Sequence, residues 1–173
     1  MKEIYLAGGC FWGLQKYFDE VNGVRGTQVG YANGKTENPT YEDVCCGGSG
    51  FAEAVWVKYD EREISLRDIL TLFFHAIDPT ARNRQGNDIG EQYRTGIYYT
   101  DDADAPVIEG YIKELQGKYK EPIATEAGPL KNYYRAEEYH QDYLKKNPGG
   151  YCHIGKEEFH YAGTYEPVHT PGR

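Results

Sequence analysis

The chain is poor in positive charge, in methionine and in long hydrophobic runs. It carries 19 lysines and arginines against 27 acidic residues, which leaves a formal net charge of −8. A surface of that sign repels phosphate groups, so we expect neither nucleic acid nor an anionic membrane surface as a partner. No stretch reaches the roughly 20 apolar residues that a membrane-spanning helix needs. Met1 is the only methionine.

The chain also lacks the common motifs in which cysteine and histidine bind metal. It contains four cysteines, but no CxxC pair and no HExxH motif. These absences exclude a thioredoxin-type dithiol and the usual zinc sites, and we expect no metal. The short apolar run beside Lys2 and Glu3 is too short for a secretory signal. We therefore expect a cytoplasmic location, where cysteines stay free or take part in transient redox chemistry.

The most informative segment is Gly8-Gly9-Cys10-Phe11-Trp12-Gly13, between a predicted strand and a predicted helix. A thiol at a helix N-terminus faces free N–H groups, which favour its thiolate form. Glycines allow a tight turn there, and Phe11 and Trp12 could wall an apolar pocket beside the sulfur. The same six residues also fit a small cysteine buried at a strand-to-helix turn. Both interpretations stay open at this point.

A second cysteine of interest, Cys152, follows the flexible segment Asn147-Pro148-Gly149-Gly150. Such a segment would let its thiol approach a first thiol that has been oxidised to a sulfenic acid, and form a disulfide with it. An exposed and inert thiol fits the same pattern. A cysteine hydrolase would instead need a histidine base. His75 and His140 are available, but nothing in the sequence brings either of them near Cys10.

Alternation over residues 51–59 predicts a strand with Glu53 on its more apolar face. A carboxyl group buried there would have a raised pKa and could donate a proton near neutral pH. The pattern alone is equally typical of a carboxylate turned to water at a strand end, and from the pattern alone we favour that interpretation.

Hydrophobic periodicity predicts the element order β-α-β-β-α-β-α-β within one domain, residues 1–160. The first six elements match the βαββαβ order of ferredoxin-like folds. Thr40 and the pair Ser65 and Asp68 are predicted helix caps, and residues 77–91 a long irregular loop. The tail, residues 161–173, is rich in Gly, Pro and Thr and is expected to be flexible or to begin a linker. The predicted strands cover 3–7, 24–31, 51–59, 93–100 and 123–126, and the predicted helices 11–21, 66–75, 105–119 and 136–146.

Ten short sequence blocks carry a resemblance to a known family. They are Gly9-Cys10-Phe11-Trp12-Gly13, Val29-Gly30-Tyr31, Asn38-Pro39-Thr40-Tyr41, Val44-Cys45, Ala52-Glu53-Ala54-Val55, Asp78-Pro79-Thr80, Asn83-Arg84-Gln85-Gly86-Asn87-Asp88, Gln92-Tyr93-Arg94, Glu138-Tyr139-His140-Gln141-Asp142-Tyr143-Leu144 and Tyr151-Cys152. Taken together, these blocks resemble the type A peptide methionine-(S)-sulfoxide reductases, and they follow the family order from about residue 4 to 155. The resemblance implies an α/β (α+β) fold, a two-layer sandwich around a ferredoxin-like βαββαβ core with long loops.

The resemblance implies that the chain reduces methionine-(S)-sulfoxide in peptides and proteins, which repairs oxidised proteins. In such a cycle a thiolate attacks the sulfoxide sulfur, the oxygen is protonated, and the resulting sulfenic acid is converted to a disulfide that thioredoxin reduces. No bound cofactor is implied, dithiothreitol can replace thioredoxin in vitro, and a monomer is expected. The implied roles are nucleophile for Cys10, proton donor for Glu53, hydrogen-bond donors for Tyr41 and Tyr93, resolving thiol for Cys152, methyl-group pocket for Phe11 and Trp12, and substrate anchor or organiser for Asp88.

Three features of the sequence depart from the family pattern. Phe51 stands where histidine is common, Cys46 replaces a small hydroxyl residue, and no cysteine follows Cys152 to relay a disulfide outward. Cys45 matches a family cysteine without an assigned step, and we interpret it as structural. Two other classes stay possible: a domain that binds oxidised methionine without turnover, and a general thiol peroxidase.

Overall fold

The computed structural model describes residues 1–168, which form a six-stranded mixed sheet, a two-stranded hairpin and six α-helices. Among these residues, no helix combines the length and the apolar character that crossing a membrane requires. The elements in chain order are β1 (Lys2–Ala7), α1 (Phe11–Asp19), β2 (Val24–Ala32), α2 (Tyr41–Cys45), β3 (Ala52–Tyr59), α3 (Leu66–Ala76), β4 (Arg84–Gln85), β5 (Asp88–Ile89), β6 (Gly96–Tyr99), α4 (Asp104–Gln116), β7 (Glu126–Pro129), β8 (Tyr133–Arg135), α5 (Tyr143–Lys146) and α6 (Lys156–Thr164).

The six strands of the main sheet lie in the order β7-β6-β1-β3-β2-β8. All neighbouring pairs are antiparallel except β6 and β7, which run parallel. The predicted order of the first six elements is present as β1-α1-β2-β3-α3-β6, with the short helix α2 between β2 and β3. Because β1 lies between β3 and β6, the end of β1 opens at the centre of the sheet, where α1 begins.

The two faces of the sheet have different coverings. One face contributes Leu6, Val55 and Val57 to the main core, in which side chains of α1, α3, α4 and α6 also take part. The other face carries a smaller apolar cluster that includes Ala52 and Ala54. The alternation predicted for β3 is therefore confirmed, and Glu53 lies on the same face as Val55 and Val57, beneath the helices.

Both predicted helix caps are confirmed. The Ser65 hydroxyl accepts a hydrogen bond from the N–H of Asp68, whose carboxylate accepts one from the N–H of Ser65. Thr40 and Asp43 form the same reciprocal pair at the start of α2. Each capping box pairs N–H groups that the first turn of a helix leaves without main-chain partners.

The predicted helix over 136–146 is wrong except for its last turn. The N–H of Ala136 instead continues the pairing with β2 through the carbonyl of Val29, at 3.0 Å. The side-chain amide of Gln141 bonds both the N–H and the carbonyl of Val29. These bonds to a strand more than 100 residues away replace the local helical bonds, and only α5 remains helical.

The other predicted elements differ from the observed ones by only a few residues. The strand predicted over 93–100 starts at Gly96, because a 3-10 helix occupies Glu91–Tyr93. The strand predicted over 123–126 lies at Glu126–Pro129. The long loop over 77–91 contains the hairpin formed by β4 and β5.

The predicted boundary at residue 160 is wrong, because α6 crosses it. Ala162 is buried in the main core, and the Tyr165 hydroxyl donates to Oδ1 of Asp68 at 2.8 Å. The N–H of Val168 donates to the same oxygen at 3.0 Å. Residues 161–168 therefore pack on α3 rather than forming a flexible tail. The rest of the predicted tail, 169–173, lies outside the described residues.

Tyr165→Phe tests this attachment. Asp68 is fully buried and loses one hydrogen-bond donor, so the free energy of unfolding should fall by about 1–2 kcal/mol. Urea denaturation monitored by circular dichroism measures the change. Tyr139→Phe is the matched control, since Tyr139 is 57 % exposed and its change should stay within about 0.5 kcal/mol. Equal stabilities of the two variants would contradict the docking.

Candidate active site

The Cys10 thiol lies at the junction of β1 and α1. Cys10 is the residue directly before the first turn of α1, and its side chain is almost buried, with 8 % exposed. Gly9 adopts a φ of +78°, a conformation that L-residues with a side chain rarely adopt. The N–H of Gly9 donates to the carbonyl of Tyr93 at 3.3 Å, which ties the loop before β6 to this turn.

Burial dominates the acidity of Cys10. It raises the pKa of the thiol well above its ordinary value, and the neighbouring carboxyl of Glu53 raises it further. The N–H of Trp12 in the first turn of α1 acts in the opposite direction, but its effect is smaller. The expectation that the helix terminus would favour the thiolate is therefore wrong for the substrate-free site, because desolvation outweighs the effect of the N–H groups.

The Glu53 carboxyl is buried beside this thiol. Its side chain is 1 % exposed, and Oε1 accepts a hydrogen bond from the N–H of Phe11 at 3.2 Å. Oε2 is buried and has no hydrogen-bond partner among the described residues. Burial raises the pKa of Glu53 to about 8, so the group holds a proton at neutral pH. The interpretation that the carboxylate turns to water is wrong, because Glu53 lies on the face of the sheet that the helices cover.

Two tyrosine side chains join Glu53. Tyr41 begins α2, and its N–H donates to Oε2 of Glu137 at 2.9 Å. Tyr93 ends the 3-10 helix before β6. Burial raises the pKa of both phenols, a hydrogen bond with the Cys45 side chain raises that of Tyr41 further, and the charge of Glu53 raises both. Both hydroxyls therefore keep their protons and can donate hydrogen bonds near the carboxyl.

An aromatic group borders the start of α1. The rings of Trp12 and Tyr143 are stacked with centroids 3.7 Å apart. The Trp12 indole N–H donates to Nδ1 of His140 at 3.0 Å, and the His140 ring also packs against Phe11 and Tyr41. Phe11 is almost fully buried, whereas Trp12 is partly exposed. Trp12 is thus the ring better placed to meet a ligand.

The sequence analysis did not predict that His140 and Tyr143 belong to this aromatic group. They are three residues apart in the block Glu138–Leu144, a spacing that signals a shared helix face. The structure instead uses a 3-10 turn and a left-handed Asp142, with φ at +53°, to present both rings. The family resemblance of the block Glu138–Leu144 was the signal that could have identified His140 and Tyr143.

Asp88 connects the hairpin to the segment that carries the second cysteine. It lies in β5, and its Oδ2 accepts a hydrogen bond from the Tyr151 hydroxyl at 2.9 Å. Its charge also raises the pKa of Cys10 and of Glu53. Tyr151 is a site residue that the sequence analysis matched but assigned no role.

Cys152 lies against the first turn of α1. A Cβ atom at Gly13 would be 3.0 Å from the Cys152 sulfur, so only glycine leaves room for it. The thiol is partly buried and donates to the carbonyl of Ile154 at 3.3 Å. All four cysteines are free, and Cys45 and Cys46 are exposed.

Phe51, the departure from the family pattern, fills an apolar position. It is fully buried, and its ring meets Tyr134 edge to face, with centroids 5.8 Å apart. Glu53 is held by the N–H of Phe11 rather than by a side chain at position 51. The structure therefore brings together at one end of β1 the residues predicted from sequence: Cys10, Phe11, Trp12, Tyr41, Glu53, Asp88, Tyr93 and Cys152. Within residues 1–168, no cluster of three or more His, Cys, Asp or Glu side chains could hold a metal ion.

Comparison with known proteins decides the family. Residues 2–166 match the family model described as peptide methionine sulfoxide reductase. The chain belongs to that family. A relative named peptide methionine sulfoxide reductase MsrA, from Mycoplasma pneumoniae, is 59 % identical over 154 residues, which cover 89 % of this chain and 98 % of that relative. The chain is accordingly an oxidoreductase of the MsrA family.

Solved structures agree with this assignment. The reduced form of Mxr1 from Saccharomyces cerevisiae is 43 % identical and superposes with a TM-score of 0.83, covering 87 % of this chain and 88 % of that one. Mxr1 in complex with Trx2 is 33 % identical, with a TM-score of 0.59 over 82 % of this chain and 84 % of that one. The mixed sheet and its helices are thus an MsrA-like fold.

The raised pKa of Glu53 predicts how the stability of this MsrA-family chain depends on pH. The ordinary pKa is 4.5 and the folded value about 8. Between these values the native state binds a proton that the unfolded chain lacks, so this contribution to stability is lost as pH rises. Glu53→Gln keeps a neutral acceptor for Phe11 and removes the titration.

Urea denaturation between pH 5 and 8 measures the effect. The stability of Glu53→Gln relative to the unsubstituted protein should increase with pH, by up to about 1.4 kcal/mol per unit. Glu109→Gln, at an exposed carboxyl, is the control and should follow the unsubstituted protein. Parallel curves for all three proteins would show that Glu53 is already ionised in the fold.

Proposed function

We propose that this chain reduces methionine-(S)-sulfoxide in peptides and proteins, with Cys10 as the nucleophile and Glu53 as the proton donor. The observation that carries the proposal is a buried carboxyl beside a buried thiol, with one carboxyl oxygen that has no hydrogen-bond partner among the described residues. Burial raises the pKa of Glu53 to about 8 and the pKa of Cys10 above its ordinary value. Both groups thus enter the reaction protonated.

In the first step the sulfur of Cys10 attacks the sulfoxide sulfur, while Glu53 gives its proton to the sulfoxide oxygen. Oxide is a poor leaving group, so the S–O bond weakens only as the oxygen is protonated. Glu53 receives the thiol proton, and the oxygen ends as the hydroxyl of a Cys10 sulfenic acid when methionine leaves. The bond between the two sulfurs breaks as the oxygen passes from the substrate sulfur to the Cys10 sulfur. Atoms and protons balance, because the new hydroxyl carries the proton that Glu53 gave and Glu53 ends with the proton that the thiol lost.

Tyr41 and Tyr93 donate hydrogen bonds to the same oxygen in this scheme. Their raised pKa values keep both hydroxyls protonated across the neutral range. Neutral donors that are fixed before the reaction stabilise the charge that develops on oxygen as the sulfur is attacked.

The aromatic group supplies the choice of epimer. The sulfoxide sulfur carries an oxygen, a methyl group and the substrate side chain, so fixing two of them fixes the configuration. The oxygen is directed to Glu53 and the tyrosines, and the methyl group to the ring of Trp12, backed by the buried Phe11. Trp12 is held in place by its stacking on Tyr143 and its bond to His140. Asp88 anchors the substrate main chain or organises the site through Tyr151.

The second step regenerates the enzyme. Cys152 attacks the Cys10 sulfenic acid, water leaves, and thioredoxin reduces the Cys10–Cys152 disulfide. The position of the Cys152 sulfur against Gly13 supports this role, and so does the crystallised complex of Mxr1 with Trx2. The cycle needs neither a bound cofactor nor a second subunit, and it suits a monomer that repairs oxidised proteins in the cytoplasm.

Separate S and R epimers of N-acetylmethionine sulfoxide test the function. With dithiothreitol as reductant, methionine release measured by chromatography should occur from the S epimer alone, because only that configuration meets both the acid and the ring. Cys10→Ser should abolish the reaction, whereas Cys46→Ser, at an exposed thiol, should retain it. Reduction of the R epimer, or activity without Cys10, would refute the proposal.

The resolving step is tested in the same assay. Without reductant, Cys152→Ser should release one equivalent of methionine per enzyme, as the first step needs only Cys10. With thioredoxin as reductant it should not cycle, since no disulfide forms. Sustained cycling of this variant with thioredoxin would remove Cys152 from the pathway. Tight binding of the sulfoxide with no release by any form would instead indicate a binding domain.

A further inference from the structure

His153, the residue after Cys152, lies directly over the turn that carries Cys10. A Cβ atom at Gly9 would be 2.9 Å from its Nε2, and one at Gly13 would be 3.4 Å from its Nδ1. The imidazole therefore occupies the space that side chains at those two positions would need, on either side of Cys10 in the sequence. None of the roles proposed above uses this ring.

His153 is half-buried, but both of its ring nitrogens are buried and not engaged. Neither nitrogen is exposed to solvent, and neither makes a hydrogen bond of normal geometry within the described residues. Burial lowers the pKa of His153, although the charge of Asp88 and the main chain at Gly8 oppose the shift. A neutral imidazole has one N–H and one free lone pair, so a proton acceptor is buried next to the reacting thiols.

Nδ1 of His153 and the Cys152 sulfur lie near the same position in the site. The sulfur and Nδ1 lie 3.0 and 3.4 Å from the same point, the Cβ position of Gly13. The Gly8 main chain favours a proton on the ring, and Nε2 is the nitrogen at the Gly9 end. With the proton on Nε2, the lone pair is on Nδ1, the ring nitrogen near the Gly13 position that the Cys152 sulfur also approaches.

Deprotonation of the Cys152 thiol needs such a base. Burial raises the pKa of Cys152, and the hydrogen bond with the Ile154 main chain and the positive charge of Lys16 offset this only partly. In the substrate-free state the thiol donates to the carbonyl of Ile154, an acceptor that cannot take the proton away. Attack on a sulfenic acid requires the thiolate, so a proton must leave Cys152 within a partly buried site.

We propose that His153 is the general base of the second step, an inference that rests on the proposed function. Nδ1 takes the proton from the Cys152 thiol as its sulfur bonds to the Cys10 sulfur. The S–O bond of the sulfenic acid breaks, and the imidazolium returns the proton to the departing hydroxyl, which leaves as water. Cys10 enters this step already oxidised by two electrons as the sulfenic acid, so its sulfur is reduced as the Cys152 sulfur is oxidised. The products, one disulfide and one water, balance without a further oxidant.

A single-turnover experiment separates the two steps. Reduced enzyme is mixed with one equivalent of the S epimer without reductant, and quenched samples are measured for methionine and, after alkylation, for the disulfide by mass spectrometry. In His153→Gln, methionine should form at the unsubstituted rate. Disulfide formation should slow by about 100-fold or more, the usual loss when a general base is removed. His160→Gln is the matched control at an exposed histidine, and both of its rates should be unchanged.

The outcomes distinguish the inference from the function on which it rests. If no methionine forms from any protein, the proposed function fails. If methionine forms but the disulfide appears equally fast in His153→Gln and the unsubstituted protein, His153 is not the base. If both steps slow together, the residue acts on the shape of the site, and the inference is overturned.

Two further readouts exclude a purely structural role. In His153→Ala, added imidazole should restore disulfide formation without changing the methionine burst. The unsubstituted disulfide rate should be level above the lowered pKa of His153, while the His153→Gln rate should climb with pH as the Cys152 thiol ionises. The charged and titratable groups that interact with this pair are Asp88, Lys16, Cys10 and Tyr151. Absence of rescue together with parallel pH profiles would overturn the inference.

Discussion

The hydrogen bond from the N–H of Phe11 to the carboxyl of Glu53 joins the first turn of α1 to the central strand β3. It fixes where the helix begins relative to the sheet, and thereby where the preceding residue, Cys10, presents its sulfur. The same bond serves one oxygen of a carboxyl that is otherwise buried without a partner. A single main-chain donor is too little to stabilise a buried carboxylate, so the group keeps its proton.

A protonated acid next to a protonated thiol keeps the thiolate fraction of the free site low. Burial raises the pKa of Cys10 and of Glu53 for the same reason, loss of solvation. In the proposed reaction the sulfoxide supplies the oxygen that can accept a proton, so thiolate formation and proton donation become parts of one exchange. The same logic extends to Cys152, whose thiol is also poorly acidic and gains a neighbouring acceptor in His153.

Sequence patterns predicted the features of this site that depend on residues close together in the chain. Alternation along β3 indicated which face carries Glu53, but not that helices bury that face. The strand-to-helix turn located Cys10, yet the helix terminus alone gave the wrong direction for its pKa, because burial is a property of the whole fold. Gln141 bonds β2 and prevents a predicted helix. Contacts across more than 100 residues, such as those of Cys152 with Gly13, leave no local periodicity to detect.

The central claim is that Glu53 holds a proton at neutral pH in the substrate-free fold. The most direct measurement is the carbon-13 chemical shift of the Glu53 side-chain carboxyl, assigned by its absence from Glu53→Gln and followed from pH 4 to 10. The account predicts a midpoint near 8, the value that burial gives this group. A midpoint near the ordinary value of 4.5 would mean that a carboxylate faces Cys10, and the proton-donor role would have to be abandoned.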